Sequence, residues 1–197
     1  MLPKLQIFGK TLSKTDDAIL QSDIIFLNET WQESDEHNPD LDIPDYELVL
    51  NSKGKGKGIA AYIKGDTFHH DSDIKEEKMQ LSKFTSSTLD IIAIYRSQGG
   101  NYGDLNRYIE MMDGKDKPLL LIGDMNFCFL SSGMNQTKHF LRSKQFAQIS
   151  NEPTHIEGHL LDQAYLRDCK GRLKWTIELQ PKYYSDHKAL AIIIKEK

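Results

Sequence analysis

Cysteine, basic excess and long apolar runs are all scarce in this chain, and each scarcity removes a class of protein. Only two cysteines occur, Cys128 and Cys169, without metal-ligand spacing. Two thiols in 197 residues make no disulfide framework, so both read as free and reduced. No apolar stretch approaches the ~20 residues that a membrane-spanning helix needs. The opening Met1-Leu2-Pro3-Lys4-Leu5 lacks the apolar core of a secretory signal, which predicts an intracellular location, nuclear or cytoplasmic. Lys and Arg number 25 against 29 Asp and Glu, a net charge of -4. A chain that grips nucleic acid by bulk charge shows a basic face. The balance here argues against that mode but not against a carboxylate-built site, which lowers net charge by itself. With no internal repeat and no low-complexity linker, residues 1–197 read as one domain, within the usual range of roughly 50–250 residues.

What is present is a series of short apolar runs, drawn from a composition that is 39% hydrophobic. Strands are expected at 23–28, 46–50, 59–64, 79–85, 88–95, 119–123, 162–167, 173–179 and 189–195. Helices are expected near 104–112 and 138–144. A further short helix is expected to run from the capping signal Ser13-Lys14-Thr15-Asp16 through Leu20. Many strands, few helices and two continuously apolar runs suggest stacked sheets with helices outside. Loops at one end of such sheets would carry a site.

Polar residues collect where apolar runs end. Leu119-Leu120-Leu121-Ile122 leads into Gly123-Asp124-Met125-Asn126. Residues i and i+2 of a strand share a face, so Asp124 and Asn126 would project together. There a carboxylate activates water and a carboxamide donates to a phosphate oxygen. Taken alone, the same residues are ordinary turn formers. Ser185-Asp186-His187 precedes the apolar run Ala189–Ile194. His187 could act as acid or base, with Asp162 as the candidate to hold its other ring nitrogen; the bland alternative is a strand-entry turn with a surface imidazole. Glu29 follows the apolar strand 23–28 and could ligate Mg²⁺, or simply open a loop. Tyr95-Arg96 ends another strand. Its hydroxyl could bond a phosphate and its guanidinium suits one bidentately, although an aromatic there more often just packs. The run Lys53-Gly54-Lys55-Gly56-Lys57-Gly58 lacks the ending of a phosphate-binding loop and reads as a hairpin connection brushing a nucleic-acid backbone. His69-His70 and His155/His159 show no zinc spacing.

Each of these signals is weak singly, but their order is specific. Asp23-Ile-Ile-Phe-Leu-Asn-Glu-Thr-Trp31, Gly58-Ile-Ala-Ala-Tyr-Ile63, Ile94-Tyr-Arg-Ser97, Gly123-Asp-Met-Asn126, Pro153-Thr-His155 with Leu161-Asp162, and Ser185-Asp-His187 follow one another along residues 14–195. This series resembles the endonuclease/exonuclease/phosphatase superfamily, which includes apurinic endonucleases and deoxyribonuclease I. Its wording is nearest to the endonuclease domains of non-LTR (LINE-type) retrotransposons. The resemblance implies a four-layer α/β/β/α sandwich and phosphodiester hydrolysis with Mg²⁺, or Mn²⁺ in its place. It implies Glu29 and Asp186 at the metal, Asp124 at the attacking water, and Asn126 and Tyr95 at the scissile phosphate. His187, held by Asp162, would stabilise the transition state. Arg96, Thr154 and His155 would meet substrate, and DNA would be the partner.

One departure stands out. The family opens with a strand ending in a site Asn a little under thirty residues before the metal-binding Glu, and this chain has no Asn before Asn28. Leu2–Phe8 corresponds to the segment after that strand. Either the chain is truncated or the sandwich lacks its first strand, and the expectation is then weakened catalysis, or self-association or a partner that covers the exposed edge. Two other functions stay open: a phosphatase or phospholipid diesterase of the same fold, and an interaction module that has lost catalysis.

Overall fold

Residue alternation explains the central strand. In β6 (Asp90–Arg96) every residue is buried, because the two faces of this strand meet different cores. Ile92 and Ile94 pack with Leu105, Tyr108, Ile109 and Met112 of α1 (Tyr102–Met112). Ile91, Ala93 and Tyr95 pack the other way, against Ile59, Ala61 and Ile63 of β3 (Ile59–Lys64). Truncating such a fully buried side chain to Ala costs about 2–5 kcal/mol, a large part of the ~5–15 kcal/mol that holds a domain together.

The computed structural model describes residues 19, 21–131, 136–180 and 185–197. Their fold is mixed α/β and mostly strand. A six-stranded sheet runs in the order β4-β5-β6-β7-β9-β8. It comprises β4 (His69–Glu76), β5 (Met79–Thr85), β6, β7 (Leu119–Asp124), β8 (Ala147–Gln148) and β9 (Asp162–Arg167). Only the β6–β7 pair in it is parallel, and α1 supplies that crossover. A three-stranded sheet, β1 (Ile24–Asn28)-β3-β2 (Tyr46–Asn51), packs over the large sheet. So does the pair β10 (Leu173–Gln180) and β11 (Ala189–Glu196). Helices α1 and α2 (Gln136–Ser143) cover the opposite face. Beyond the three-stranded sheet, Ala60 and Tyr62 meet Leu41 and Ile43 around a 3-10 turn at Pro39–Leu41. Among the described residues, that segment and Ile19 cover the outer face of the three-stranded sheet. The helix expected from Ser13 and the Leu2–Phe8 segment lie outside the described residues.

Two strands have no counterpart in the apolar pattern. β4 is the polar string His-His-Asp-Ser-Asp-Ile-Lys-Glu, largely exposed, and it forms because it lies at the sheet edge with only β5 to pair. β8 is two residues long.

Candidate active site

Strand register builds the site. Tyr95 pairs with Asp124 across β6 and β7, and Asp124 with Asp162 across β7 and β9. These three side chains therefore form one row at the end of the large sheet. Gly123 lets β7 reach that point. Its φ is +141°, and a Cβ there would sit 1.9 Å from the Ile94 carbonyl oxygen.

Asp124 and Asn126 come together by a turn, not by strand alternation. Asn126 has left the strand with φ 49°. Its N–H donates to Asp124 Oδ1 at 2.9 Å, and its Nδ2 donates to Asp124 Oδ2 at 3.2 Å. The loop beyond is held from below. Gln163 Nε2 donates to the Phe127 carbonyl at 2.6 Å, and Met125 N–H to the Leu161 carbonyl at 3.1 Å.

Arg96 takes part in this support. It is 4% exposed, and its guanidinium donates to the carbonyls of Gly100, Met125 and Asn126 while stacking over Tyr102. Backbone oxygens thus take four of the five guanidinium N–H donors. Thr154 has a similar place. It is fully buried, and its hydroxyl accepts the N–H groups of Leu161 and Asp162 at 3.1 and 3.0 Å, fixing the entry to β9.

From the other layer come Glu29 and the Ser185–His187 segment. His187 Nδ1 lies 2.6 Å from Asp162 Oδ2. The next segment joins it by backbone: Ile156 N–H donates to the Asp186 carbonyl and Lys188 N–H to the Thr154 carbonyl, at 3.0 and 2.8 Å. His155 thus lies across from His187. Glu29 follows β1 in a left-handed conformation, as does Trp31, with φ 55° and 62°. Such conformations cost about 1–3 kcal/mol each for residues with a side chain. They are held by Trp31 N–H donating to the Lys57 carbonyl and Gly54 N–H to the Gln32 carbonyl. Tyr95 is buried, its hydroxyl within bonding reach of Glu29 Oε1 (3.1 Å) and the Gly56 carbonyl (2.8 Å). The lysine-glycine loop is therefore tied to the site.

Glu29, Asp124, Asn126, His155, Asp186 and His187 line one open cleft of about 550 Å³. Tyr95, Asp162, Thr154 and Arg96 stand behind its wall. Gln98, Phe127, Cys128, Glu157, His159 and Leu161 also line it. Leu161 apart, which stands in the Leu161-Asp162 phrase, the sequence pattern gives no signal for these, because ordinary loop residues reach the cleft only through the fold.

Burial, then the charges of Asp162 and Glu29, push the Asp124 carboxyl up to about 7, against the pull of the Asn126 N–H and His187. Burial opposes charging of His187, but the Asp162 partner outweighs it and the imidazole is raised. Burial and neighbouring Glu29 keep the Tyr95 phenol neutral. Hard cations favour oxygen donors. The carboxylates crowded around Asp124, which raise it, fit a divalent cation that would relieve the repulsion.

A family model described as the Endonuclease/Exonuclease/phosphatase family matches residues 5–187. No curated protein gives a significant match. Among solved structures, the human Nocturnin catalytic domain is 18% identical with a TM-score of 0.64, covering 97% of this chain and 84% of that one. The endonuclease domain of TRAS1, a telomere-specific non-LTR retrotransposon, is 12% identical with a TM-score of 0.61, covering 98% and 90%. A mannosyl-6-phosphatase of Bacteroides thetaiotaomicron is 12% identical with a TM-score of 0.60, also covering 98% and 90%. At such identities the likeness concerns the fold.

Proposed function

The chain belongs to the endonuclease/exonuclease/phosphatase family, hydrolases of phosphodiester or phosphate esters, and from that premise we propose that it is a Mg²⁺-dependent phosphodiesterase that nicks DNA. The observation that carries this reading is the Tyr95–Asp124–Asp162 row, with His187 bonded to Asp162 and Glu29 bonded to Tyr95. Folding alone has no use for five ionisable groups converging on one site.

Asp124 takes the proton of the attacking water, and a carboxyl near 7 suits a base working near neutral pH. Asn126 donates its second amide hydrogen to a phosphate oxygen while its other bonds hold it against Asp124. Asp162 fixes the His187 proton on Nδ1 in the neutral ring and favours the charged form. Protonated, His187 places an N–H toward the charge that develops on phosphorus. Tyr95 orients Glu29 from beneath. His155, in the cleft wall, meets substrate. Glu29 and Asp186 would hold the divalent ion, which supplies charge neutralisation at the phosphate and leaving oxygen.

The lysine loop favours a polyanionic strand over a small ester. Lys55 is exposed and lies 5.4 Å from the centroid of the Trp31 ring, in the segment next to Glu29. Supercoiled plasmid, incubated with and without Mg²⁺, tests the proposal. Nicking that needs Mg²⁺ and disappears in Asp124→Ala is the expected result. Intact plasmid with turnover of a sugar phosphate or phospholipid would reassign the substrate. No turnover of any ester and no metal binding would mark an interaction module.

A further inference from the structure

The two backbone bonds that join residues 154–156 to 186–188 also bring two imidazoles to the Asp186 carboxylate, a nitrogen-rich donor set that shares Asp186 with the divalent-ion site. His155, Asp186 and His187 each offer one ligand atom, all within 4.8 Å of one another. We propose that these three side chains form a binding site for a borderline transition-metal cation of the Zn²⁺ class. Two imidazoles and one carboxylate with an open fourth position are a three-ligand zinc set. Nitrogen donors favour Zn²⁺, Co²⁺ or Ni²⁺, whereas Mg²⁺ takes oxygens.

The geometry is largely prepared. His155 Nε2 is 3.5 Å from Asp186 Oδ2, close to the spacing of two ligands on a tetrahedral ion whose bonds are about 2.0–2.2 Å. The two imidazoles meet edge to face with centroids 4.9 Å apart. Both are mostly buried, while Asp186 is 53% exposed and supplies the adjustable ligand. The outer partners are present as well. Asp162 already holds His187 at Nδ1, leaving Nε2 as the donor atom. A carboxylate behind a metal-bound imidazole orients it and raises its basicity. His155 Nδ1 accepts the Glu157 N–H at 3.2 Å. Ligation through Nε2 needs the ring protonated at Nδ1, so the turn must shift to replace the Glu157 N–H there with the Glu157 carboxylate, now 4.0 Å away. The turn that must adjust, residues 156–158, is exposed.

An ion here occupies the His187 nitrogen that faces the cleft. Zn²⁺ therefore inhibits Mg²⁺-supported hydrolysis, a consequence that rests on the function proposed above. The site itself does not.

Co²⁺ titrated into the metal-free chain reads the site directly. One equivalent should give a visible ligand-field absorption that Zn²⁺ abolishes and a large excess of Mg²⁺ leaves in place. His155→Ala should weaken Co²⁺ by about tenfold or more, at least the loss that follows removal of an outer partner. His139→Ala, on the exposed side of α2, should leave it unchanged. On the unsubstituted chain, paramagnetic Co²⁺ should broaden the ring resonances of His155 and His187 and spare those of His37 and His139. Displacement by Mg²⁺, wild-type affinity in a folded His155→Ala, or broadening confined to other histidines would overturn the proposal. A Co²⁺ site with these properties in a chain that cleaves no ester would leave it standing and remove the hydrolase reading instead.

Discussion

Asp124 is 4% exposed and within charge range of Asp162 and Glu29, so its ionised form destabilises the metal-free fold. The direction follows from proton counts. Its folded value of about 7 exceeds the ordinary 3.8, so between those limits the native state binds more protons than the unfolded chain, and stability falls as pH rises. Asp124→Asn removes that charge while keeping an oxygen for the Asn126 N–H. Without divalent ions at pH 8, this variant should melt several degrees above the parent, at about 2–4 °C per kcal/mol for a chain of this size. Its hydrolysis should fall to background. A variant that melts lower would show that the carboxylate is structural. His187 runs the same way: its raised value stabilises the fold below the ordinary 6.5, and that contribution is lost as pH climbs through the folded value. Asp162→Asn removes its principal raising partner, so the ring, followed by NMR, should titrate at lower pH than in the parent. An unchanged titration would mean that the 2.6 Å contact carries no charge interaction.

The elements that carry these residues were legible in the sequence to different degrees. β3, β5 and β9 were readable to the residue, since alternation or continuous apolarity marks strands buried on one or both faces. β4 was not, because an edge strand exposed on both faces leaves no hydrophobic period. The site divides similarly. Residues at strand ends announce themselves, since a polar group closing an apolar run is unusual. Cys128, Glu157 and His159 sit in loops, and nothing local says where a loop folds back. Arg96 shows the converse limit. An arginine at a strand end does not reveal from sequence that the carbonyls of Gly100, Met125 and Asn126 take most of its donors. Gly123 was readable as a turn residue, yet its task is close approach: any side chain meets the Ile94 carbonyl. Gly123→Ala should therefore lower the melting temperature and displace Asp124 together, reducing turnover more than the loss of folded protein accounts for. Full turnover per folded molecule would show that β7 can shift without moving its terminal carboxylate.

At the scale of the whole molecule, a net charge of -4 repels a polyanion, so binding to DNA must come from where the cations sit. The β2–β3 loop concentrates lysines beside the cleft, fixed there by the Tyr95 hydroxyl on the Gly56 carbonyl. Lys57 is engaged with Glu77, which leaves Lys53 and Lys55 as the better-placed phosphate contacts. Each phosphate neutralised on a duplex contributes about -0.9 to the slope of log affinity against log salt. Replacing Lys53 and Lys55 with Ala should therefore weaken plasmid binding and flatten its salt dependence by up to about two units of slope. Hydrolysis of a small phosphodiester, which touches only the cleft, should change little. The comparison separates two physical models of the same active site. If the loop guides a strand, binding and its salt slope fall together while the small ester is spared. If both substrates lose turnover in proportion, the loop acts through Tyr95 and Glu29 instead, and the charge it carries is incidental.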